Sequence, residues 1–247
     1  MAEEKEKAKA KPSVWKIIAI VFIIVTVILM GALAGVVVMM PKGNSQTTNP
    51  ALPGPLISVE GKELEVYLSM TDDESDVHTA LSIEGLTGLD ATTLEYIKQD
   101  RANITENVGD KSDRANKTYF AFSFYFINRS HRAVAYDLSV NVHESTGNIL
   151  NAVRVMMIEG EAGWDGGEIF AKPEATQEGK DRLSANVNYT TKPFKSAEVI
   201  CSLGPKNLAQ NAKVKQTMVV WLEGWDIDCT EQILSNSLTM SLTLSAQ

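Results

Sequence analysis

The stretch Tyr119-Phe-Ala-Phe-Ser-Phe-Tyr-Phe126 places a phenylalanine at every second position. This alternation predicts a β-strand, because successive side chains of a strand point to opposite faces of its sheet. The same period of two continues in residues 134–142 and returns in residues 238–244, where polar side chains fill the alternate positions. The three segments therefore predict antiparallel strands with one buried face and one solvated face.

Shorter segments of similar composition extend this pattern over the C-terminal four-fifths of the chain. Only residues 91–98 have helical spacing, and the Asn- and Asp-rich residues 99–117 are predicted to form a loop. About nine short strands with turn residues between them predict a mainly β fold, a two-sheet antiparallel sandwich of the jelly-roll type. The further predicted strands are residues 63–70, 77–83, 152–158, 185–189, 197–203 and 213–223.

Residues 17–40 form an apolar run of 24 residues without a single charge. A helix of this length reaches about 36 Å, enough to cross a hydrocarbon core of about 30 Å. The apolar region of a signal peptide is shorter, about 7 to 15 residues. The run therefore predicts one retained transmembrane helix in contact with the lipid bilayer. Ala32-Leu-Ala34 resembles a cleavage site, which leaves a cleaved signal as the alternative.

The charges beside the span predict its orientation. Five lysines precede it, whereas the Pro-rich linker at 41–55 carries only Lys42. Because positive charge stays on the cytoplasmic side, residues 1–16 are predicted to be a cytoplasmic tail and residues 56–247 an outer domain. The expected location is the cell membrane, with a single pass.

Two glycines within the span are candidates for helix packing. Gly31 and Gly35 give the small-xxx-small spacing that lets two membrane helices approach closely. The other interpretation is that glycine is simply common in spanning helices.

Charge and residue types narrow the function classes. The net charge is −8, and residues 41–247 carry 18 Lys and Arg against 28 Asp and Glu, which argues against binding nucleic acid. The three histidines are far apart in the sequence, and neither a Gly-x-Ser-x-Gly nor a phosphate-loop motif occurs. The sequence therefore predicts no catalytic site and no required cofactor.

Two acidic clusters are the candidate metal ligands. Asp72, Asp73 and Asp76 lie in one predicted loop, and Asp226 and Asp228 in another. Oxygen-rich loops can bind Ca²⁺, although a charge run between strands is more often only solvated.

The two cysteines, Cys201 and Cys229, both fall in the predicted outer domain, where disulfides persist. A bridge would close a loop of about 28 residues and stabilise the domain by about 3 kcal/mol on the chain-entropy model. The alternative is a pair of separate buried thiols.

Two stretches carry a resemblance: the C-terminal run Val219-Val-Trp-Leu-Glu-Gly-Trp-Asp-Ile-Asp-Cys-Thr230 with residues 237–247, and residues 152–158 with Phe170-Ala-Lys-Pro173. Both resemble uncharacterised, membrane-anchored surface proteins of Gram-positive bacteria. The layout of an apolar N-terminal segment and a β-rich body is similar to the camelysin/TasA family. That resemblance implies a jelly roll and, for the fibre-forming members, assembly by passing a strand to a neighbour. The protease activity attached to camelysin does not carry over, because the chain has no zinc-binding pattern.

These observations predict a single-pass bacterial surface protein with a structural, adhesive or assembly role and no catalysis. Expected partners are a second copy of the chain or another envelope protein. If a strand is donated, residues 56–70 are the natural donor because they follow the linker. The alternative is an extracytoplasmic ligand-binding or regulatory domain that acts with a membrane partner.

Overall fold

The computed structural model describes residues 53–60, 65–71, 73, 75–84, 88–234 and 236–246. The predicted cytoplasmic tail, the predicted membrane span with Gly31 and Gly35, and most of the predicted linker lie outside these ranges. Among the described residues, no helix is both long enough and apolar enough to cross a membrane.

Strands dominate the described part of the chain, as the alternating pattern predicts. The strands are β1 (Pro53–Glu60), β2 (Val66–Ser69), β3 (Ala80–Glu84), β4 (Ala91–Thr92), β5 (Gly109–Asp110), β6 (Tyr119–Asn128), β7 (Val134–Ser145), β8 (Val153–Glu159), β9 (Glu168–Ala171), β10 (Lys192–Pro193), β11 (Val199–Leu208), β12 (Lys213–Glu223) and β13 (Leu238–Ala246). The helices are α1 (Leu94–Ile97), α2 (Arg101–Glu106), α3 (Ile149–Ala152), α4 (Gln177–Asn186) and α5 (Glu231–Leu234), with short 3₁₀ turns at Lys98–Asp100, Gly160–Ala162 and Trp164–Gly166.

The strands form two sheets. One has the order β11-β7-β13-β1-β3, and the other the order β10-β9-β8-β12-β6-β2 with β4 beside β12 and β5 beside β6. Both sheets are mixed, because β1 runs parallel to β13, and β10 and β4 run parallel to β9 and β12. The prediction of purely antiparallel sheets is wrong here. The alternation of apolar and polar residues identifies a strand but does not show which strand pairs with it. Only a short hairpin connection forces two strands to pair antiparallel.

The two sheets share one hydrophobic core, in a sandwich-like arrangement. The four phenylalanines of β6 lie in it together with Tyr136 and Leu138 of β7 and Leu242 of β13. Along β7 the buried positions alternate with partly exposed ones up to Asn141, so its predicted solvated face is confirmed.

Strand β6 departs from the prediction because both of its faces are buried. Its second face belongs to a separate core, in which Tyr119 and Ala121 pack with Ile97 and Ile104 from the helical segment before the strand. Ser123 fixes this layer, since its hydroxyl donates to the Ile104 carbonyl oxygen at 3.0 Å. The predicted loop at 99–117 therefore contains α2 and β5, and it covers the eight-stranded sheet.

Helix α4 is a second departure: it includes the first two residues of the predicted strand at 185–189, and residues 187–189 form neither helix nor strand, so this prediction is wrong. The helix is capped by Thr176, whose hydroxyl accepts from the Gly179 N–H at 3.0 Å. Seven of its ten residues are polar, and it buries only Gly179. A helix without an apolar stripe leaves no periodic pattern in the sequence.

The predicted donor segment 56–70 is not one strand. β1 lies in the five-stranded sheet between β13 and β3, whereas β2 lies at the edge of the other sheet. Strand β1 also begins at Pro53, inside the predicted linker.

Candidate functional site

The first predicted calcium loop uses its carboxylates for local turns. Asp73 Oδ1 accepts from the Ser75 N–H at 2.8 Å and from the Ser75 hydroxyl at 2.7 Å, and these bonds hold the pKa of Asp73 below its usual range. Asp76 contacts the His78 ring at 2.8 Å. Asp72 lies outside the described residues. The structure thus assigns Asp73 and Asp76 to the turn.

The second predicted loop does gather carboxylates. The side-chain oxygens of Asp226 and Asp228 lie within 4.8 Å of one another and of Glu174. Sequence reasoning missed Glu174 because it precedes the other two by about 50 positions.

Two members of this acidic group, Asp226 and Glu174, already accept hydrogen bonds within the fold. Asp226 pairs with Arg154 at 2.6 Å, and both side chains are 2% exposed. The other oxygen of Asp226 accepts from the Asp228 N–H at 2.9 Å. Glu174 accepts from the Thr176 N–H at 2.9 Å. Asp228 and the second Glu174 oxygen are the ligands that a cation would find.

The predicted disulfide is wrong, because Cys201 and Cys229 are both free thiols. Cys201 lies in β11 of the five-stranded sheet with its side chain in the core, whereas Cys229 lies in the turn after β12 of the other sheet. Burial raises the pKa of Cys201 to about 12 and that of Cys229 to about 11.

Two adjoining cavities, each lined by one tryptophan, lie where the helical segment meets the eight-stranded sheet. Their volumes are about 240 Å³ and 320 Å³, and they share Leu94, Glu95, Asn188 and Tyr189 as walls. Trp164 lines the first cavity and Trp225 the second. We call these two cavities together the Trp groove. Asn188 Nδ2 donates to Glu95 Oε1 at 3.0 Å at their shared wall.

A buried carboxylate organises the Trp225 half of the groove. Glu223 is fully buried and accepts from the Tyr189 hydroxyl at 2.5 Å and from the Trp221 indole at 3.1 Å. It also accepts from the Trp225 N–H at 3.2 Å, so the backbone that carries this indole is held in place. Burial raises the pKa of Tyr189, and the Glu223 carboxylate raises it further. Tyr189 therefore stays neutral as a hydrogen-bond donor.

The groove combines aromatic faces with polar groups at its rim. Trp225 is 40% exposed, although large aromatic side chains are usually covered. Glu95 and Asn188 supply hydrogen-bonding atoms between the two tryptophans. A ring face with a negative quadrupole attracts the C–H face of a sugar, while carboxylates and amides bind its hydroxyls. The arrangement can bind a sugar ring in each cavity.

Sequence reasoning missed this groove, although one pattern points to it. The tripeptide Gly-Trp-Asp occurs twice, at 163–165 and 224–226. Glycine and aspartate favour turns, and turns lie at the surface, so both tryptophans are expected near solvent.

Comparison with known proteins adds no family to this geometry: no family model, no curated protein and no solved structure matches the chain. The resemblance to Gram-positive surface proteins and to the camelysin/TasA family therefore stays a prediction.

Proposed function

We propose that this chain is a single-pass surface protein whose outer, jelly-roll-like β domain has an adhesive or structural role without catalysis. The apolar run at 17–40 and the five lysines before it support a retained membrane helix with the domain outside. The Trp groove supports the adhesive form of the proposal and is the observation that carries it.

The ligand we propose is a neutral polysaccharide. The rim carries the carboxylates of Glu95 and Asp165 against the single ammonium of Lys98, which disfavours acidic sugars. The two halves of the groove, each with one tryptophan, are suited to successive sugar residues of one chain.

Isothermal titration of the full chain, in a detergent without a sugar headgroup, tests this function. The probes are chitotetraose and cellotetraose. We expect at least one to bind, and Trp225→Ala to weaken its binding about fivefold, since one aromatic contact contributes about 1 kcal/mol. The matched control is Tyr96→Ala, because Tyr96 is 41% exposed on the neighbouring helix but does not line the groove.

Three outcomes would overturn the saccharide proposal: neither probe binds at millimolar concentration, Trp225→Ala binds like the wild type, or Tyr96→Ala loses as much affinity as Trp225→Ala. Release of shorter saccharides in the same samples would contradict the absence of catalysis.

Self-association is the assembly form of the same proposal. β1 begins within the predicted linker and pairs with β13 and β3 on its two sides, so a neighbouring copy could supply this strand. Light scattering of the full chain is expected to show a protein mass that rises with concentration. A constant monomer mass would rule out the assembly role and would not affect the adhesive role.

The second candidate function is a ligand-binding or regulatory domain with a membrane partner. The Trp groove is equally suited to a soluble saccharide that signals, and Gly31 and Gly35 would then pack against the partner helix. Replacing both glycines with isoleucine should abolish capture of a partner from membranes. Unchanged capture would rule out contact through this helix face.

A further inference from the structure

A third cavity lies at one side of the two sheets and shares no lining residue with the Trp groove. Its volume is about 430 Å³, and its walls come from β8, β9, β11 and β12 with Lys192 of β10 at the rim. We call it the edge cleft, because β10 and β11 are the edge strands of their sheets. Met157 and Leu203 form apolar parts of its lining.

One wall of the edge cleft carries a polar group without a partner. Gln216 is 1% exposed, and its Nε2 has no hydrogen-bond partner among the described residues. A buried amide that donates no bond costs free energy, so such a group points to an acceptor that binds beside it. The neighbouring Tyr136 hydroxyl donates to Glu159 Oε1 at 2.8 Å and can accept from only one of the two Gln216 N–H groups, so the other is left for a ligand.

The charged residues at the rim of the cleft form two ion pairs. Lys206 pairs with Glu159, and Lys192 pairs with Glu168 at 2.6 Å. All four side chains line the cavity, which makes its charge zero, and each remains partly exposed and open to a ligand. A ligand with both charges can bind such a rim without leaving a lysine or a glutamate unpaired.

The geometry points to a small zwitterion as the ligand of the edge cleft, with one carboxylate and one ammonium group, as in an amino acid or a short peptide. The carboxylate accepts from Gln216 Nε2 and lies near Lys206. The ammonium group lies near Glu168, and a short apolar side chain packs against Met157 and Leu203.

A longer peptide added as a strand to β11 is disfavoured at this edge. The pairing of β11 with β7 is irregular between Leu203 and Lys206, and Pro205 has no N–H to donate. An irregular edge that contains proline does not continue a strand ladder. The cavity therefore favours a compact ligand.

Isothermal titration of the full chain in detergent tests the proposal with the dipeptide Ala-Leu. The comparison probe is the same dipeptide with an acetylated N-terminus and an amidated C-terminus, which lacks both charges. We expect the free dipeptide to bind and the blocked one to bind at least tenfold more weakly. Trp225→Ala should leave this binding unchanged, which separates the result from that of the saccharide test.

Two variants, each with a matched control, test whether Gln216 and Lys192 contribute to dipeptide binding. Gln216→Met keeps the side-chain length but removes the donor, and it should weaken dipeptide binding at least tenfold while the melting temperature does not fall. Its control is Gln177→Met on the exposed face of α4. Lys192→Met should weaken binding as well, whereas Lys172→Met, at an exposed position just after β9, should not.

Several outcomes would overturn the proposal. They are no binding by the wild-type chain, equal binding of free and blocked dipeptides, or wild-type affinity in Gln216→Met. If Gln216→Met does not fold, equal affinities of Lys192→Met and Lys172→Met overturn the proposal.

Discussion

At the scale of single residues, the ion pair between Arg154 and Asp226 is the interaction whose loss should matter most. Both side chains are 2% exposed. Removing one partner of a buried pair leaves an uncompensated charge and costs about 3–5 kcal/mol. We expect Asp226→Asn to lower the free energy of unfolding by this amount, as measured by urea denaturation.

The control for Asp226→Asn is Asp110→Asn. Asp110 pairs with Arg114, but these two side chains are 30% and 37% exposed. A pair in contact with water contributes less than about 1 kcal/mol. Equal losses in the two variants would contradict the structural role given to Arg154.

The free thiols make stability depend on alkaline pH. The folded chain holds the Cys201 proton up to a pKa of about 12, whereas the ordinary thiol pKa is 9.0. Between these values the unfolded state binds fewer protons, so the free energy of unfolding falls as pH rises, by about 1 kcal/mol from pH 9 to pH 10. Cys201→Ala should remove this part of the fall, seen as the difference between the two denaturation curves. A thiol assay of the unfolded protein should detect two free thiol groups. Detection of no free thiol would instead support the predicted disulfide.

At the scale of elements, the helical segment before β6 decides whether the eight-stranded sheet has a second core. Ile104 of α2 is fully buried against that sheet. Shortening a buried isoleucine to alanine costs about 2–5 kcal/mol. We expect Ile104→Ala to lose this much stability, whereas Asn103→Ala on the exposed side of the same helix should lose less than about 0.5 kcal/mol. Hydrogen exchange in residues 101–106 as fast as in an unstructured peptide would contradict the packing of α2 against the eight-stranded sheet.

At the scale of the whole molecule, the orientation in the membrane is the property to test. Protease added to intact cells that express the full chain should remove the domain and leave a small membrane-bound fragment. This follows from the lysines before the span. Digestion only after lysis would contradict the orientation, and release of the domain into the medium would favour a cleaved signal.

Much of the strand content could be predicted from local pattern. The predicted limits of the strand at 213–223 match β12, and the buried positions of β7 match the apolar face of its sequence. The alternation of apolar and polar residues is a local property of the chain, so it can be recognised without knowing which strands lie beside it in the sheet.

The second core and helix α4 could not be predicted in the same way. Ala121 and Ser123 have small or polar side chains that are typical of a solvated face, yet α1 and α2 cover them. The polar α4 has no apolar stripe and shows only a capping threonine. Burial on a second face depends on what packs there, which is a long-range property.

The candidate sites divide in the same manner. The sequence by itself determined the uncharged run at 17–40, the acidic surface and the pair Asp226 and Asp228, because each is a matter of composition over neighbouring positions. Only the tertiary structure placed Glu174 beside that pair, left Cys201 and Cys229 as free thiols, and brought Trp164 and Trp225 to two cavities with common lining residues. These relations join residues that are distant in the chain, and pairing of the strands and packing of the helices create them.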